Sequence, residues 1–258
     1  MFQHNLCPAK EKSVRRFFFR IYWVLQDIIS PGLQHSQQVY AESVQSWVRP
    51  ESFWLDIGCG SQIFTSWQLR DEKKIVGTCK MVVGVDRELY QLRQHKTISH
   101  QVQADISNLP FKQDAFDFVS ANMVVEHLSA PERQFREIHR VMKPDGVFLF
   151  HTMNSAGYIA LVSRLVPQCL KNILIRIFEG RTPPDVFPTF YRVNNKKRVR
   201  KVARETQFEL MEFKPIVSSA KLVLVPPLAV LELLWIRLLM TDFMKALRTN
   251  IIVILKKS

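Results

Sequence analysis

Cysteine is scarce in this chain, and the placement of the four that occur excludes two kinds of site. They are Cys7, Cys59, Cys79 and Cys169, and no two of them form a CxxC pair. Such spacing argues against a disulfide framework and against a zinc site, so we expect no bound metal. It fits a reducing compartment, and we expect a cytoplasmic location.

Long uncharged apolar runs are also missing. The nearest one, from Leu222 to Met240, is interrupted by two prolines, Glu232 and Arg237. It falls short of the roughly 18 apolar residues that a membrane-spanning helix needs. Charged residues also interrupt the apolar residues near the amino terminus, so we expect no cleaved leader there.

Acidic residues are in the minority. The chain has 23 Asp and Glu against 36 Lys and Arg, which gives a formal net charge of +13. This surplus favours an anionic partner, namely nucleic acid, an anionic membrane surface or a phosphorylated substrate. With 258 residues, of which 47% are hydrophobic, the chain is large enough for one α/β domain with an appendage.

Strand and helix patterns alternate from Phe53 onward. Five apolar strands are predicted at residues 53–57, 81–85, 100–104, 116–121 and 147–151. Helices are predicted between them at residues 63–74, 89–94 and 131–142, the last followed by a turn at residues 143–146. Two final strands are predicted at residues 208–214 and 250–255. Strands joined by helical crossovers indicate an α/β fold with a doubly wound, mostly parallel sheet.

Helical patterns extend beyond this alternating core. They cover residues 14–29 and 37–48 before it, and residues 157–166, 170–178 and 195–207 after it, with a proline-rich loop at residues 181–188. We therefore divide the chain into an N-terminal helical segment, residues 1–49, and a main domain, residues 50–258. Insertions at about 152–194 and 215–249 extend the main domain.

Residues suited to ligand binding follow three successive predicted strands. Gly58 and Gly60 follow the first, and their lack of a Cβ lets a ligand approach the backbone, although a tight structural turn is the alternative. Asp86 ends the second strand, where a carboxylate can accept both hydroxyls of a ribose. Asp105 follows the third and can accept from an adenine amino group while Ile106 packs on the ring. The alternatives are a surface acid for Asp86 and a helix N-cap for Asp105.

Five motifs in sequence order resemble the class I, type 11 methyltransferases, which use S-adenosylmethionine and have a Rossmann-like fold. The motifs are Leu55-Asp56-Ile57-Gly58-Cys59-Gly60, Val83-Gly84-Val85-Asp86, the segment from Ala104 to Phe111, Phe116-Asp117-Phe118-Val119, and the segment from Glu137 to Gly146. The resemblance covers about residues 50–152. It implies a seven-stranded sheet whose last strand is antiparallel and inserted beside the fifth.

The resemblance also implies roles for individual residues. Asp56, Gly58 and Gly60 would line the methionine end of S-adenosylmethionine, Asp86 would bind its ribose, Asp105 with Ile106 its adenine, and Asn122 would face its sulfonium. We expect Cys59 and Arg87, which adjoin these residues, to belong to the same cofactor site. The chain departs from the family at Gln62, where a further glycine is usual. That departure motivates an alternative in which the protein binds the cofactor without catalysis.

Methyl transfer requires a general base only if the acceptor must lose a proton. The candidates are His127, His151 and Tyr191. His127 follows Glu126 in a loop after the fourth strand, and the alternative is that both residues only order this loop. His151 ends the fifth strand, where it can instead cap a turn. Tyr191 lies in a loop that could close over the acceptor.

Two kinds of acceptor fit the segments outside the core. The apolar stretch from Leu222, with the aromatic residues and arginines of residues 15–23, favours a small apolar or lipid-like acceptor and peripheral contact with an anionic bilayer. The alternative is that these segments form ordinary core. The basic cluster from Arg192 to Arg204 could neutralise phosphates and so suggests a nucleic-acid acceptor. We favour this alternative less because no RNA-binding module accompanies the cluster.

Overall fold

The computed structural model describes residues 13–165, 188–223 and 225–258. The chain forms two compact units. The first, here called the sheet unit, contains the described residues of 37–155, 188–214 and 251–258. The second, called the helical unit, contains the described residues of 1–36, 156–187 and 215–250.

A seven-stranded sheet has the strand order β3-β2-β1-β4-β5-β7-β6. The strands are β1 (Phe53–Ile57), β2 (Met81–Asp86), β3 (His100–Gln103), β4 (Phe116–Asn122), β5 (Met142–Met153), β6 (Phe208–Ile216) and β7 (Asn250–Lys257). Strands β1 to β5 pair in parallel, and β7 is antiparallel beside β5. This confirms the Rossmann-like, doubly wound sheet expected from the sequence.

Helices flank this sheet. In the sheet unit they are α2 (Ser36–Trp47), α3 (Leu69–Thr78), α4 (Leu89–Leu92), α5 (Pro131–Val141) and α7 (Lys196–Glu205), with 3-10 turns at Ser66–Gln68 and Val125–His127. Pro131 occupies the first turn of α5, where its missing N–H has no partner to lose. The side chain of Asn195 caps α7 by accepting from the Arg198 N–H at 3.0 Å.

The helix expected from Ile63 begins six residues later, at Leu69. The reason is that side chains capture the backbone groups that would have begun it. The Ile63 carbonyl accepts from the Asn122 amide at 3.0 Å, and the Phe64 N–H donates to Glu72 at 2.9 Å. Ile63 and Phe64 are buried as a loop rather than as a helical turn.

The turn expected at residues 143–146 is part of β5 instead. The pairing of β5 with β4 shifts register between Phe116 and Phe118, which gives a bulge that absorbs the turn-forming residues. Asp145 there has a φ of 62°, a value that Asp tolerates better than most residues.

The helical unit is built on α1 (Ser13–Ile29), α6 (Tyr158–Leu165) and α8 (Pro226–Leu239). Its core contains Tyr22, Leu233, Ile236 and Leu239. The predicted helix at residues 170–178, nearly all of the loop at residues 181–188, and the two cysteines at positions 7 and 169 lie outside the described residues. Within the described part of the chain, no helix is both long and apolar enough to cross a membrane.

Candidate functional site

The glycine turn after β1 is held against β2. The N–H groups of Gly58 and Cys59 both donate to the Val85 carbonyl, at 2.7 and 3.1 Å. Gly58 has a φ of 68° and Gly60 a φ of 51°, which favour glycine. A Cβ on Gly58 would lie 2.4 Å from a methyl group of Val124, whereas a Cβ on Gly60 would meet nothing within 4 Å. Gly58 is therefore packed into the protein, and Gly60 faces open space.

Asp86, at the end of β2, is tied to this turn. One carboxylate oxygen accepts from the Gly60 N–H at 2.9 Å, and the other accepts from the Glu88 N–H at 2.9 Å. Because a carboxylate offers about four acceptor positions, both oxygens can still accept from a ligand. Asp86 thus holds the open side of the glycine turn in place, and its oxygens can accept hydrogen bonds from a ligand beside the turn.

Asp105 and Arg87 lie beside Asp86 because β2 and β3 are neighbours. The Ala104 N–H donates to the Asp86 carbonyl at 3.1 Å. Asp105 accepts from the Ser107 N–H at 2.7 Å, and the Arg87 Nε lies 3.5 Å from its other oxygen. The Ser107 N–H, aided by Arg87, lowers the pKa of Asp105, which keeps this exposed carboxyl ionised. Ile106 follows, packed against the core of the sheet unit.

Asp56 is buried beneath the turn rather than open to solvent, with 1% of its surface exposed. Its carboxylate accepts from the Ser120 hydroxyl, which itself accepts from the Trp54 indole at 2.7 Å. Burial raises the pKa of Asp56 to about 8, and the neighbouring Glu72 and Asp86 carboxylates add to this rise. Burial therefore favours the protonated form of Asp56.

Cys59 turns its side chain into the sheet. A Cβ on Gly84 would lie 2.7 Å from the Cys59 sulfur, so that glycine makes room for the thiol. Burial raises the pKa of this thiol, which is free but buried. Cys59 can thus reach a ligand only through its backbone.

Asn122 and His151 meet at the ends of β4 and β5. The Asn122 Oδ1 lies 2.9 Å from the His151 Nδ1. The Asn122 amide also donates to the Gln37 side chain at 2.8 Å. His151 is fully buried and stacks on Tyr40, with ring centroids 5.7 Å apart.

Sequence reasoning missed Gln37 and Tyr40, which α2 brings to these strand ends. Their i, i+3 spacing on a predicted helix was the only local signal, since such residues share a face. Tyr40 is fully buried near Asp56 and Ser120, and its hydroxyl makes no hydrogen bond of ordinary geometry within the described residues. A buried polar group of this kind, close to a site, marks a position where a ligand or water can bind.

His127 and Tyr191 are brought together by a different set of contacts. The Glu126 carbonyl accepts from the N–H groups of Phe190 and Tyr191, at 2.8 and 3.1 Å. The His127 Nδ1 lies 2.9 Å from the Pro188 carbonyl. These contacts hold residues 188–191 against the loop that follows β4.

The buried side chain of Glu126 strengthens the same arrangement. It accepts from the Thr152 hydroxyl at 2.5 Å, and Thr152 accepts from the Asn194 amide at 2.8 Å. Burial raises the pKa of Glu126. The Tyr191 hydroxyl points to the Met153 sulfur at 3.9 Å. The structure thus groups His127 with Tyr191, and His151 with Asn122.

Comparison with known proteins places the chain among methyltransferases. Residues 55–150 match the family described as "Methyltransferase domain". The chain is 30% identical over 163 residues to a 2-phytyl-1,4-naphtoquinone methyltransferase of Nostoc, covering 57% of this chain and 68% of that protein. It is 27% identical over 149 residues to a demethylmenaquinone methyltransferase of Symbiobacterium thermophilum, covering 54% of this chain and 59% of that protein. With several other curated relatives the match spans less than half of their length.

The fold has counterparts among solved structures. An S-adenosylmethionine-dependent methyltransferase from Mesorhizobium loti superposes with a TM-score of 0.54 and 16% identity, over 86% of this chain and 98% of that one. The fold and the relatives together show that the chain belongs to the class I methyltransferase family, whose cofactor is S-adenosylmethionine.

The residues present fit that cofactor. Open space in front of Gly60 leaves room for a ligand at the turn. Asp86 and the ionised Asp105 place acceptors at the two neighbouring strand ends, which suits the donors of a ribose and of an adenine.

Proposed function

We propose that this protein transfers a methyl group from S-adenosylmethionine to a small apolar acceptor. When bound, the cofactor supplies a methyl group already activated on a sulfonium, so the protein contributes mainly position and proximity. The observation that carries the proposal is the Gly60–Asp86 contact. It joins an open glycine turn to a carboxylate at the next strand end.

In this proposal the cofactor site comprises the residues expected from the sequence. Gly58, Gly60 and the Cys59 backbone form the turn, Asp86 binds the ribose, and Asp105 with Ile106 binds the adenine. Arg87 acts by holding Asp105. Asn122 faces the reacting end, together with His151 and Tyr40. Asp56 supports the turn from beneath, because its buried carboxyl is bonded to Ser120.

The buried pair of Asn122 and His151 is our choice for the acceptor side. With the Asn122 Oδ1 as acceptor, the His151 Nδ1 carries the proton, and the imidazole is held in one tautomer. His127 and Tyr191 are assigned to holding residues 188–191 in place, because both are engaged through that loop. If the acceptor must lose a proton, His151 is the general base.

The relatives and the composition support the proposed acceptor class. Two relatives are named for methylation of quinones, a demethylmenaquinone and a phytyl-naphtoquinone. The apolar stretch within residues 222–247 suits a molecule of similar polarity. A small quinone-like or lipid-like molecule is therefore the first acceptor to test, with peripheral membrane contact as its route of supply.

The Asp86→Ala variant tests the cofactor site. We expect its dissociation constant for S-adenosylmethionine, measured by isothermal titration, to rise at least about tenfold. Charge-assisted hydrogen bonds to the ribose are lost, worth on the order of 1.5–3 kcal/mol. Glu209→Ala, which removes an exposed carboxylate on β6, is the matched control and should bind normally. A folded Asp86→Ala protein with unchanged affinity would reject the ribose assignment.

Transfer of radiolabel from the methyl group of S-adenosylmethionine tests the acceptor class. We expect label in an extractable naphthoquinone or lipid fraction. Label in RNA instead would replace the proposal with the nucleic-acid alternative. Cofactor binding without label in any lipid, small-molecule or RNA pool would favour the non-catalytic alternative.

A further inference from the structure

Helix α8 exposes an apolar face in the helical unit. Leu228, Leu231, Leu234 and Leu238 are between 43% and 62% exposed, and their spacing places them on one side of the helix. The opposite side, including Leu233 and Ile236, is buried in the core of the unit. A helix that is apolar on both sides is typical of one covered on both sides. Among the described residues, nothing in the helical unit covers the exposed side of α8.

Phe243, four residues after the end of α8, is a further exposed apolar side chain. It is 92% exposed, the highest value among the large apolar side chains of the described residues. The exposure is not the result of a frayed end. Arg248 donates to the carbonyls of Leu239 and Met240, each at 2.9 Å, and the Thr241 hydroxyl donates to the Leu238 carbonyl at 2.7 Å. The turn holds the aromatic ring outward in solvent.

Helix α1, which packs on α8, adds to the exposed apolar surface. Phe17, Val24 and Ile28 are 60–72% exposed. The Ser30 hydroxyl at the end of α1 donates to the Leu233 carbonyl at 2.9 Å, so the two helices are fastened together. Exposed apolar groups on two joined helices exceed the scattered single residues that a surface normally shows.

Exposed basic groups outnumber exposed acids in these helices and the segments that flank them. Arg20 on α1 and Arg237 on α8 are exposed, as are Lys221 and Lys245 beside α8, against the exposed acids Asp27 and Asp242. The chain as a whole has a net charge of +13. Exposed apolar side chains combined with Lys and Arg match the boundary between acyl chains and anionic headgroups. A second copy is a poorer cover, because two copies would bring together surfaces that carry the same excess of basic groups.

We propose that the helical unit docks on an anionic bilayer. The docking surface is formed by Leu228, Leu231, Leu234, Leu238 and Phe243. The leucines and Phe243 enter the interface, while Arg237 and Lys245 meet the headgroups. Docking requires no methyl transfer. It would place the protein where apolar molecules dissolve, in line with the proposed acceptor class.

Co-sedimentation with vesicles tests the proposal without cofactor or acceptor. The full chain is mixed with vesicles of 70% phosphatidylcholine and 30% phosphatidylglycerol at low salt. We expect binding that weakens with added salt, because headgroup attraction is screened. The triple variant Leu231→Gln, Leu234→Gln, Phe243→Ser should bind at least about tenfold more weakly. Met211→Gln, which changes a 50% exposed residue of β6, should bind as the unchanged protein does.

Folding and self-association are measured on the same samples. Equal urea-unfolding midpoints of all variants, followed by the circular dichroism of their helices, show that a loss of vesicle binding is not unfolding. In a Phe243→Trp protein, brominated acyl chains should quench fluorescence beyond that of the unchanged protein. The proposal is overturned if the triple variant still binds vesicles normally. It is also overturned if the unchanged protein binds no vesicles but forms dimers, and the triple variant is monomeric. Failure of methyl transfer would affect only the proposed function.

Discussion

Gly58 and Gly60 are two residues apart, yet alanine should affect them differently. Both have positive φ, which costs a non-glycine residue on the order of 1 kcal/mol. At Gly60 nothing lies within 4 Å of the added Cβ, so Gly60→Ala should cost about that amount and no more. At Gly58 the Cβ would lie 2.4 Å from Val124, and overpacking adds about 1–3 kcal/mol. We expect Gly58→Ala to lower the free energy of unfolding by about 2–4 kcal/mol.

A double-mutant cycle separates the two causes at Gly58. Val124→Ala removes both methyl groups that the new Cβ would meet. The double variant should therefore recover the overpacking cost but keep the backbone cost. An interaction energy of about 1–3 kcal/mol is expected, measured from urea unfolding of the four proteins. Gly60→Ala with Val124→Ala is the matched cycle and should show additive effects.

Cofactor affinity gives a second measurement on the same variants. Gly60 faces the space assigned to S-adenosylmethionine, so Gly60→Ala should weaken binding although the protein remains stable. Gly58→Ala should mainly reduce stability. Equal stability losses at the two glycines, or no rescue by Val124→Ala, would contradict the packing described for this turn. A Gly60→Ala protein with normal affinity would show that the open space is not where the cofactor binds.

Two further predictions concern the polar groups buried beneath the turn. Because the pKa of Asp56 is raised to about 8 in the folded protein, its contribution to stability is complete below the unfolded pKa and is lost as the pH rises toward 8. Asp56→Asn should therefore gain about 1 kcal/mol or more relative to the unchanged protein in urea unfolding between pH 5 and pH 8; parallel pH profiles would contradict the burial effect. Tyr40→Phe removes a buried hydroxyl that makes no hydrogen bond of ordinary geometry to the described residues, so the melting temperature should stay the same or rise. A clear fall would show that the hydroxyl is bonded in solution. Methyl transfer should decrease in this variant if Tyr40 contacts the acceptor.

The sequence predicted the sheet well because each strand carries its own signal. The strands of a doubly wound sheet are short apolar runs ended by glycine or a carboxylate, and β1, β2 and β4 were placed to within one residue. Errors occurred where distant side chains decide the local structure. The start of α3 depends on Asn122 and Glu72, which lie far from Ile63 and Phe64 along the chain. The bulge in β5 depends equally on pairing with β4.

The candidate site divides in the same way. Acids at the strand ends were visible because parallel strands bring their carboxyl ends to one edge. The burial of Asp56 was not visible, since it requires Trp54 and Ser120 to enclose it. Tyr40 was also missed, because nothing within α2 indicates that it will stack on a histidine 111 positions later, at the end of β5. The positions of the carboxyl groups at the strand ends could be predicted from the sequence. Their burial and protonation could not.

Gln62 stands where the resemblance led us to expect a further glycine, and the backbone there does not require one. A glycine would be required at position 62 if the backbone there were left-handed. Gln62 is not among the residues with positive φ, and its N–H donates to the Cys59 carbonyl at 3.2 Å. Its side chain is exposed. The open side of the turn depends on Gly60 and Asp86, which do not involve this side chain. Gln62 therefore places a side chain next to the turn, but it leaves unchanged the backbone conformation that we propose receives the cofactor.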